Sequence, residues 1–305
     1  MQTTDTVLMI EPIAFGFNEQ TAVNNYFQIH QSGNVQGKAL AEFHSFVEKL
    51  RSKGINVITI KDTIEPRTPD SIFPNNWVSF DEDGKVILYP MFAKNRRLER
   101  RSDIIDQIRE KFDVKEIIDY SAIENENVFL EGTGSMIFDH DNRIAYGSVS
   151  LRLNEELFRK FCNEFDYKPV VFHSYQTAGD ARLPIYHTNV MMCVADKFVV
   201  ICLDCIDDET ERQNVVDSIV GSGKELIEIS EDQMQHFAGN MLQVRNNSGE
   251  KFLVMSQSAY NSLKPEQISA IEKYSEIIYS DLETIETNGG GSARCMLAEV
   301  FLPKR

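Results

Sequence analysis

The chain has 305 residues, 42% of them apolar and 26% charged, the composition of a folded protein with one large core or two modest ones. A formal charge of -16, from 47 acidic against 31 basic residues, repels polyanions, which argues against nucleic acid and anionic membrane surfaces as partners. The longest apolar run, KFVVICLDCI from Lys197 to Ile206, is far shorter than the roughly 20 residues that span a bilayer. The opening MQTTDTVLMIEP has neither the basic region nor the cleavage signal of a secretory leader, so a cytoplasmic location is expected. Five cysteines scattered among apolar neighbours suit reduced thiols better than a disulfide framework.

In chain order, TVLMIEP predicts a strand, GKALAEFHSFVEKLRSKG an amphipathic helix and INVITI a second strand. A hairpin signal follows in NNWVSFDEDGKVILYPM, turning at Asp83-Gly84, then a helix in RRSDIIDQIREKF and a strand in KEIID. The same succession recurs in EGTGSMIFDHDNRIAYGSVS with its turn near Asp141-Asn142, then NEELFRKFCNEF and KPVVFH. It recurs again in HTNVMMCVADKFVVICL, ETERQNVVDSIV and ELIEIS, and once more in GNMLQVRNNSGEKFLVMS, KPEQISAIEKY and EIIYS. Each unit reads strand, strand, helix, strand. The residues that open the hairpins, Asn76, Glu131, His187, Asn240 and Cys295, fall roughly 55 residues apart, and a fixed period of that size marks a repeat or propeller architecture.

The C-terminal RCMLAEVFL begins a fifth unit, with Cys295 opening its strand, and the N-terminal strand, helix and strand would complete it. Such a closure would tie the termini together and leave no free sheet edge. The expectation is therefore one α/β catalytic domain over residues 1–305, a five-bladed pseudo-symmetric propeller of ββαβ units. Equivalent positions in five units around an axis converge on it, so the five hairpin-opening residues would meet at its mouth. That set holds a nucleophile, a base, a carboxylate and amides. No His, Cys or acidic cluster has metal-ligand spacing, and Cys202-x-x-Cys205 lies in a strand pattern without the helix start of a redox motif, so neither metal nor other cofactor is expected.

The segments GGGSARCM, FLEGTGSM, YHTNVMM, GNML and FPNNW resemble motifs of the guanidine-modifying superfamily of arginine deiminases, dimethylargininases, succinylarginine dihydrolases and amidinotransferases. The likeness runs over residues 6 to 302. FGFNEQTAVNNYFQ and MFAKNRRLERR are similar to an amidinotransferase-like bacterial branch that includes citrulline hydrolases. The resemblance implies the five-bladed α/β propeller (pentein) fold. It implies Cys295 as the nucleophile on the central carbon of a guanidino or ureido group, and His187 as the proton carrier. It makes Glu131 the carboxylate that holds the headgroup nitrogens.

Two departures bear on the substrate. Deiminases that act on cationic guanidinium groups carry aspartate where this chain has Asn76, and often His-x-Asp where it has His187-Thr-Asn189. An amide offers a donor and an acceptor, which suits a neutral ureido group, so L-citrulline, hydrolysed to ornithine, carbon dioxide and ammonia, is the expected substrate. The alternative is an amidinotransferase or a guanidine hydrolase on arginine-like substrates; a non-enzymatic propeller is the third reading. An amino-acid substrate needs arginines for its carboxylate: Arg97 and its neighbour Arg96 are candidates, as are Arg294 beside the nucleophile and, more weakly, Arg182. The partner is a small molecule, and a homo-oligomer stays open.

Overall fold

A computed structural model describes residues 1–305. It contains five three-stranded sheets of one connectivity and a separate hairpin. The N-terminal elements are β1 (Thr6–Glu11), a helix over Val35–Ser52 and β2 (Asn56–Lys61). They are followed by β3 (Val78–Phe80), β4 (Lys85–Leu88), a helix over Ser102–Arg109 and β5 (Glu116–Asp119). The next sheet uses β6 (Met136–Asp139), β7 (Ile144–Ser148), a helix over Glu155–Glu164 and β8 (Lys168–Phe172). A hairpin of β9 (Tyr175–Ala178) and β10 (Ala181–Pro184), not anticipated in the sequence, precedes β11 (Met192–Val194). With β12 (Phe198–Ile201), a helix over Glu209–Gly221 and β13 (Glu225–Glu228), β11 makes the fourth unit. Then come β14 (Leu242–Arg245), β15 (Lys251–Ser256), a helix over Pro265–Glu272, β16 (Glu276–Ser280) and finally β17 (Ala298–Glu299).

In each unit the hairpin pair is antiparallel and the helix returns the chain to a third, parallel strand; Val86, for example, sits opposite Phe80 on one side and Ile117 on the other. The fifth unit joins the two ends of the chain, with Val7 opposite both Glu299 of β17 and Val57 of β2. Middle strands such as β12 (FVVI) are buried throughout, the near-continuous apolar run of a strand covered on both faces. Outer strands carry charge instead: EIID in β5 and ELIE in β13 leave their glutamates exposed or half-buried. The expected loss of sheet edges does not occur, because the sheets stay separate and no strand links one to the next. Short strands and edge charges protect the edges in place of closure.

The helices start where side chains cap them. Asp208 Oδ1 accepts from the backbone N–H groups of Thr210 and Glu211, and Asn154 Oδ1 accepts from Leu157 N. Each helix then turns its apolar stripe inward, as Leu157, Phe158, Phe161 and Cys162 do. The apolar clusters lie between neighbouring sheets. Val78 and Val86 share one with Leu8 and Ile10, Ile87 shares another with Met136 and Ala145, and Val254 shares a third with Val7 and Met9. Ile137, Cys193 and Leu253 meet in the largest cluster, so every sheet packs against two others.

The sheets approach most closely at the turns that enter them. A Cβ on Gly239, just ahead of β14, would lie 2.3 Å from Val190 O and 2.6 Å from Met191 C, backbone atoms that cannot step aside. Gly239→Ala is therefore expected to destabilise the protein by about 1–3 kcal/mol, read as a lower urea midpoint with an unchanged slope.

Candidate active site

Each hairpin is entered through a tight turn, and the five repeat-marking residues sit on or beside those turns. Asn76 ends the single-turn helix Pro74–Asn76, Glu131 precedes Gly132–Ser135 and His187 precedes Thr188–Val190. Asn240 follows the turn after Gln235, and Cys295 lies in the turn Ala293–Met296. The expectation that Cys295 opens a strand is corrected here: β17 begins only at Ala298. The turn that carries Asn76 touches those of Glu131 and Cys295, and the Glu131 turn also touches that of His187.

Two amides point at the thiol. Asn240 Nδ2 lies 3.3 Å and Asn189 Nδ2 3.4 Å from Cys295 Sγ. The backbone N–H of Arg294 donates to Asn240 Oδ1 (3.0 Å), which also lies 3.7 Å from Sγ as an acceptor for the thiol hydrogen, while the Asn240 NH2 donates to Asn189 O (2.9 Å) as well as facing the sulfur. Asn189 Oδ1 is buried with no partner. The three glycines before the cysteine have a packing role: Gly290 has φ +62°, a conformation only glycine adopts freely, and Gly289 and Gly291 lie against the Phe73 ring. Tyr186 Oη donates to Gly290 O (2.5 Å) and anchors this loop.

Glu131, with no exposed surface, accepts from His187 Nε2 (2.7 Å), Phe92 N (2.9 Å) and Arg152 Nη1 (3.4 Å). Burial works against its charge, but Arg152 and His187 outweigh it and hold the carboxyl down to about 2. The imidazole of His187 is pushed down to about 4, chiefly by burial and by the nearby Arg152 and Arg96, against the pull of Glu131. An ionised carboxylate only accepts, so Nε2 carries the imidazole proton and Nδ1 keeps a free lone pair. Neutral His187 is thus set up as a base with its tautomer fixed.

A second buried cluster adjoins the first. Arg96 donates through Nε and Nη2 to the two oxygens of Glu99 (2.9 Å each) and through Nη1 to Asn76 Oδ1 (2.7 Å). Asp70 accepts from Asn18 Nδ2 (2.8 Å) and Thr21 Oγ1 (3.0 Å), and its Oδ1 is buried without a partner. Burial raises the Asp70 carboxyl above its ordinary value, against Arg96. The segment from Asn18 to Gln28 straps this cluster down: Asn24 Oδ1 accepts from Arg152 Nε (3.1 Å) and Nη2, and Asn25 Nδ2 donates to Gly290 O (3.1 Å).

The structure thus gathers Cys295, Asn189 and Asn240 in one cluster, and His187 and Glu131 in another beside Asn76. Arg97 is elsewhere, donating to Met91 O (3.0 Å) and lying 3.6 Å from Glu124. Arg294 turns its guanidinium away from the thiol, to Leu297 O and Glu299. Arg182 lies on the surface with Asp207 and Glu231. Cys202 and Cys205 are buried with their sulfurs 3.0 Å apart, on the turn after β12. The residues that sequence reasoning missed are Arg152 and Asp70. Arg152 sits in SLRLNEE, where nothing local distinguishes it from a surface arginine, and the signal for Asp70 was its place six residues before Asn76 in PDSIFPNN.

The small mixed sheets bring a cysteine, a histidine and a glutamate onto adjoining turns, and the family match places this α/β chain in the guanidino-modifying superfamily. Residues 11–302 match the family model described as N,N dimethylarginine dimethylhydrolase, eukaryotic, and the chain belongs to that family. No curated protein matches it. Among solved structures it is similar to apo ArgZ, an arginine dihydrolase from the ornithine-ammonia cycle in cyanobacteria, with TM-score 0.74 and 16% identity. That match covers 98% of this chain but 41% of ArgZ. The substrate-bound N-terminal domain of ArgZ matches with TM-score 0.72 and 17% identity over 98% of both chains. A dimethylarginine dimethylaminohydrolase, as an adduct with S-methyl-L-thiocitrulline, matches with TM-score 0.63 and 14% identity over 98% of this chain and 100% of that one. No helix is long and apolar enough to cross a membrane.

Because burial and two arginines disfavour the imidazolium, His187 should stay neutral across the physiological range. A ¹⁵N NMR titration of its ring should have a midpoint below about 5.5, a full unit under the ordinary imidazole value; a midpoint at or above that value would contradict the site's electrostatics.

Proposed function

We propose that the chain is a cysteine-dependent hydrolase of the ureido group of an amino acid, with L-citrulline the substrate its headgroup pocket suits best. One observation carries this choice. Arg96 can only donate, so Asn76 Oδ1 is committed to it and Asn76 has its NH2 to offer, whereas Asn189 Oδ1 is an open acceptor. A ureido group matches that pair with one carbonyl oxygen and one NH2. A guanidinium presents donors only and would leave the Asn76 amide facing a like donor.

In this proposal Sγ of Cys295 adds to the ureido carbon while Nδ1 of His187 takes the thiol proton, and the imidazolium so formed is held by Glu131. The proton then goes to the departing nitrogen, leaving a carbamoyl group on sulfur. Water attacks that group, again giving a proton to His187; the C–S bond breaks, the proton returns to the departing sulfur, and the released carbamate falls apart to carbon dioxide and ammonia. The N-terminal domain of ArgZ has been solved with a covalently bound reaction intermediate, which supports a covalent route for this fold. The α-carboxylate would go to Arg152 and the α-ammonium to the free oxygen of Asp70. We further infer that the five sheets are the blades of one catalytic propeller over residues 1–305, since each packs on two neighbours, and that it works in the cytoplasm.

The second reading, hydrolysis of a guanidino group such as that of arginine, is favoured by the family match and by ArgZ. Incubation with citrulline, arginine and agmatine, scored for ammonia and the amine product, separates the two; release of ornithine from citrulline is expected, and turnover of arginine alone would select the second reading. Cys295→Ser should abolish turnover with no change in melting temperature, and retained activity would remove the covalent route. Asn76→Asp replaces a donor by a carboxylate, and should move the citrulline-to-arginine ratio of kcat/KM toward arginine by roughly tenfold or more. An unmoved ratio would show that Asn76 does not read the headgroup.

A further inference from the structure

Asparagine is a poor discriminator on its own, because rotating its amide by half a turn exchanges donor for acceptor at little cost. Something must hold it. The Asn76 side chain is buried, and its Oδ1 meets one group, Nη1 of Arg96, at 2.7 Å. One Nδ2 hydrogen goes to Asn75 Oδ1 (3.0 Å). A Cβ on Gly134 would lie 2.3 Å from Asn76 Nδ2 and 2.9 Å from His187 Nδ1, so the amide NH2 and the free imidazole nitrogen both crowd this glycine.

What aims Nη1 of Arg96 is Glu99. It takes Nε and Nη2 in a side-on fork, and Phe73 O accepts from Nη2 as well (3.1 Å). The fork fixes the guanidinium plane, and with it the direction of Nη1. Asp70 Oδ2, 4.0 Å from Nε, is the competing anion to which an unforked Arg96 would swing. We propose that Glu99 is a specificity-determining positioning residue: through Arg96 it locks the Asn76 amide donor-inward and thereby sets the preference for a headgroup with an acceptor oxygen. The inference rests on the proposed ureido hydrolase activity and deepens it.

Glu99→Gln keeps the shape but loses the symmetric fork. Arg96 can then turn to Asp70, and Asn76 can present its oxygen. The expected result is a citrulline-to-arginine ratio of kcat/KM that falls at least about tenfold, with the loss mainly on citrulline. In the Asn76→Asp background, where either oxygen only accepts, the same change should leave the ratio alone, so the double-mutant cycle should show strong coupling. An equal loss on both substrates, with no coupling, would mean that Glu99 merely props the fold and would overturn the proposal. Should Glu99→Gln fail to fold, Glu99→Asp, which keeps the charge but shortens the reach, takes its place in the same cycle.

The lock also has a readout that needs no turnover. The Asn76 side-chain NH2, identified by its loss in Asn76→Asp, should exchange its hydrogens slowly in the wild type and much faster in Glu99→Gln. Slow exchange in both would overturn the lock even if activity behaves as expected. Wild-type protein that turns over neither substrate while the exchange difference holds would instead remove the proposed activity and leave the lock in place.

Discussion

A carboxylate with no exposed surface has to be neutralised where it lies, and Glu131 imposes that condition on the whole site. Stripping a carboxylate of water costs several kcal/mol unless charge and hydrogen bonds replace the hydration shell. The replacements come from three places in the chain: Phe92 N just after β4, Arg152 just after β7 and His187 just before β11. Three sheets must therefore stand in correct relation before Glu131 is satisfied. Arg152 extends the demand to the strap, since Asn24 and Thr21 O take its remaining contacts. The imidazole, its tautomer set by Glu131, is then left with a lone pair on Nδ1, so the electrostatic requirement of one buried anion also prepares the base.

Around that anion the site is lined by amides where a cation-binding site would carry carboxylates. A carboxylate needs no orienting because both oxygens accept. An amide does, and two of those here have a neighbour that can only donate. Arg96 fixes Asn76, the backbone N–H of Arg294 fixes Asn240, and the NH2 of Asn189 is drawn to Cys295 Sγ, leaving its oxygen free. In the proposed site, polarity at the headgroup would be set by second neighbours such as the buried Glu99, through its fork on Arg96.

Much of this was legible in the sequence because the repeat is written in turns. The spacing from Asn76 to Cys295 follows from five copies of one unit, and a turn that enters a hairpin leaves a mark of glycine or asparagine in every copy. Helices announced themselves by apolar residues three and four apart, as in NEELFRKFCNEF, and came out within a few residues of their expected ends. What the period does not encode was missed. Arg152 gains its meaning only when the chain folds it over Glu131 from 21 positions away, and β9–β10 is an insertion in one unit with no counterpart in the others. Arg97 and Arg294 looked apt by proximity in sequence, but neighbours on a tight turn point in different directions. In the turn that carries Cys295, Arg294 faces Glu299 while the thiol faces the amides. The presumed strand at Cys295 failed for a related reason, since the apolar run CMLAEV serves first a turn and then two residues of pairing.

The enclosure of the site bears on how an amino acid would be held. A guanidinium has five N–H donors, and four bonds from Arg152 are already made: two to Asn24 Oδ1, one to Thr21 O and one to Glu131. One N–H is left for a substrate carboxylate, too few for the two-pronged grip that arginine usually gives. The missing donor is close by. Asn24 Nδ2 is buried without a partner, on the same side chain whose oxygen Arg152 holds. An α-carboxylate could thus be met by one arginine N–H and one amide N–H without displacing the strap, and the strap would be part of the binding surface as well as its cover. Asp70 fits the same scheme, with Asn18 and Thr21 of the strap on one oxygen and the other oxygen free. Each end of a zwitterion would then be gripped partly by the strap, so recognition of the amino-acid end would depend on this segment as well as on the headgroup pocket.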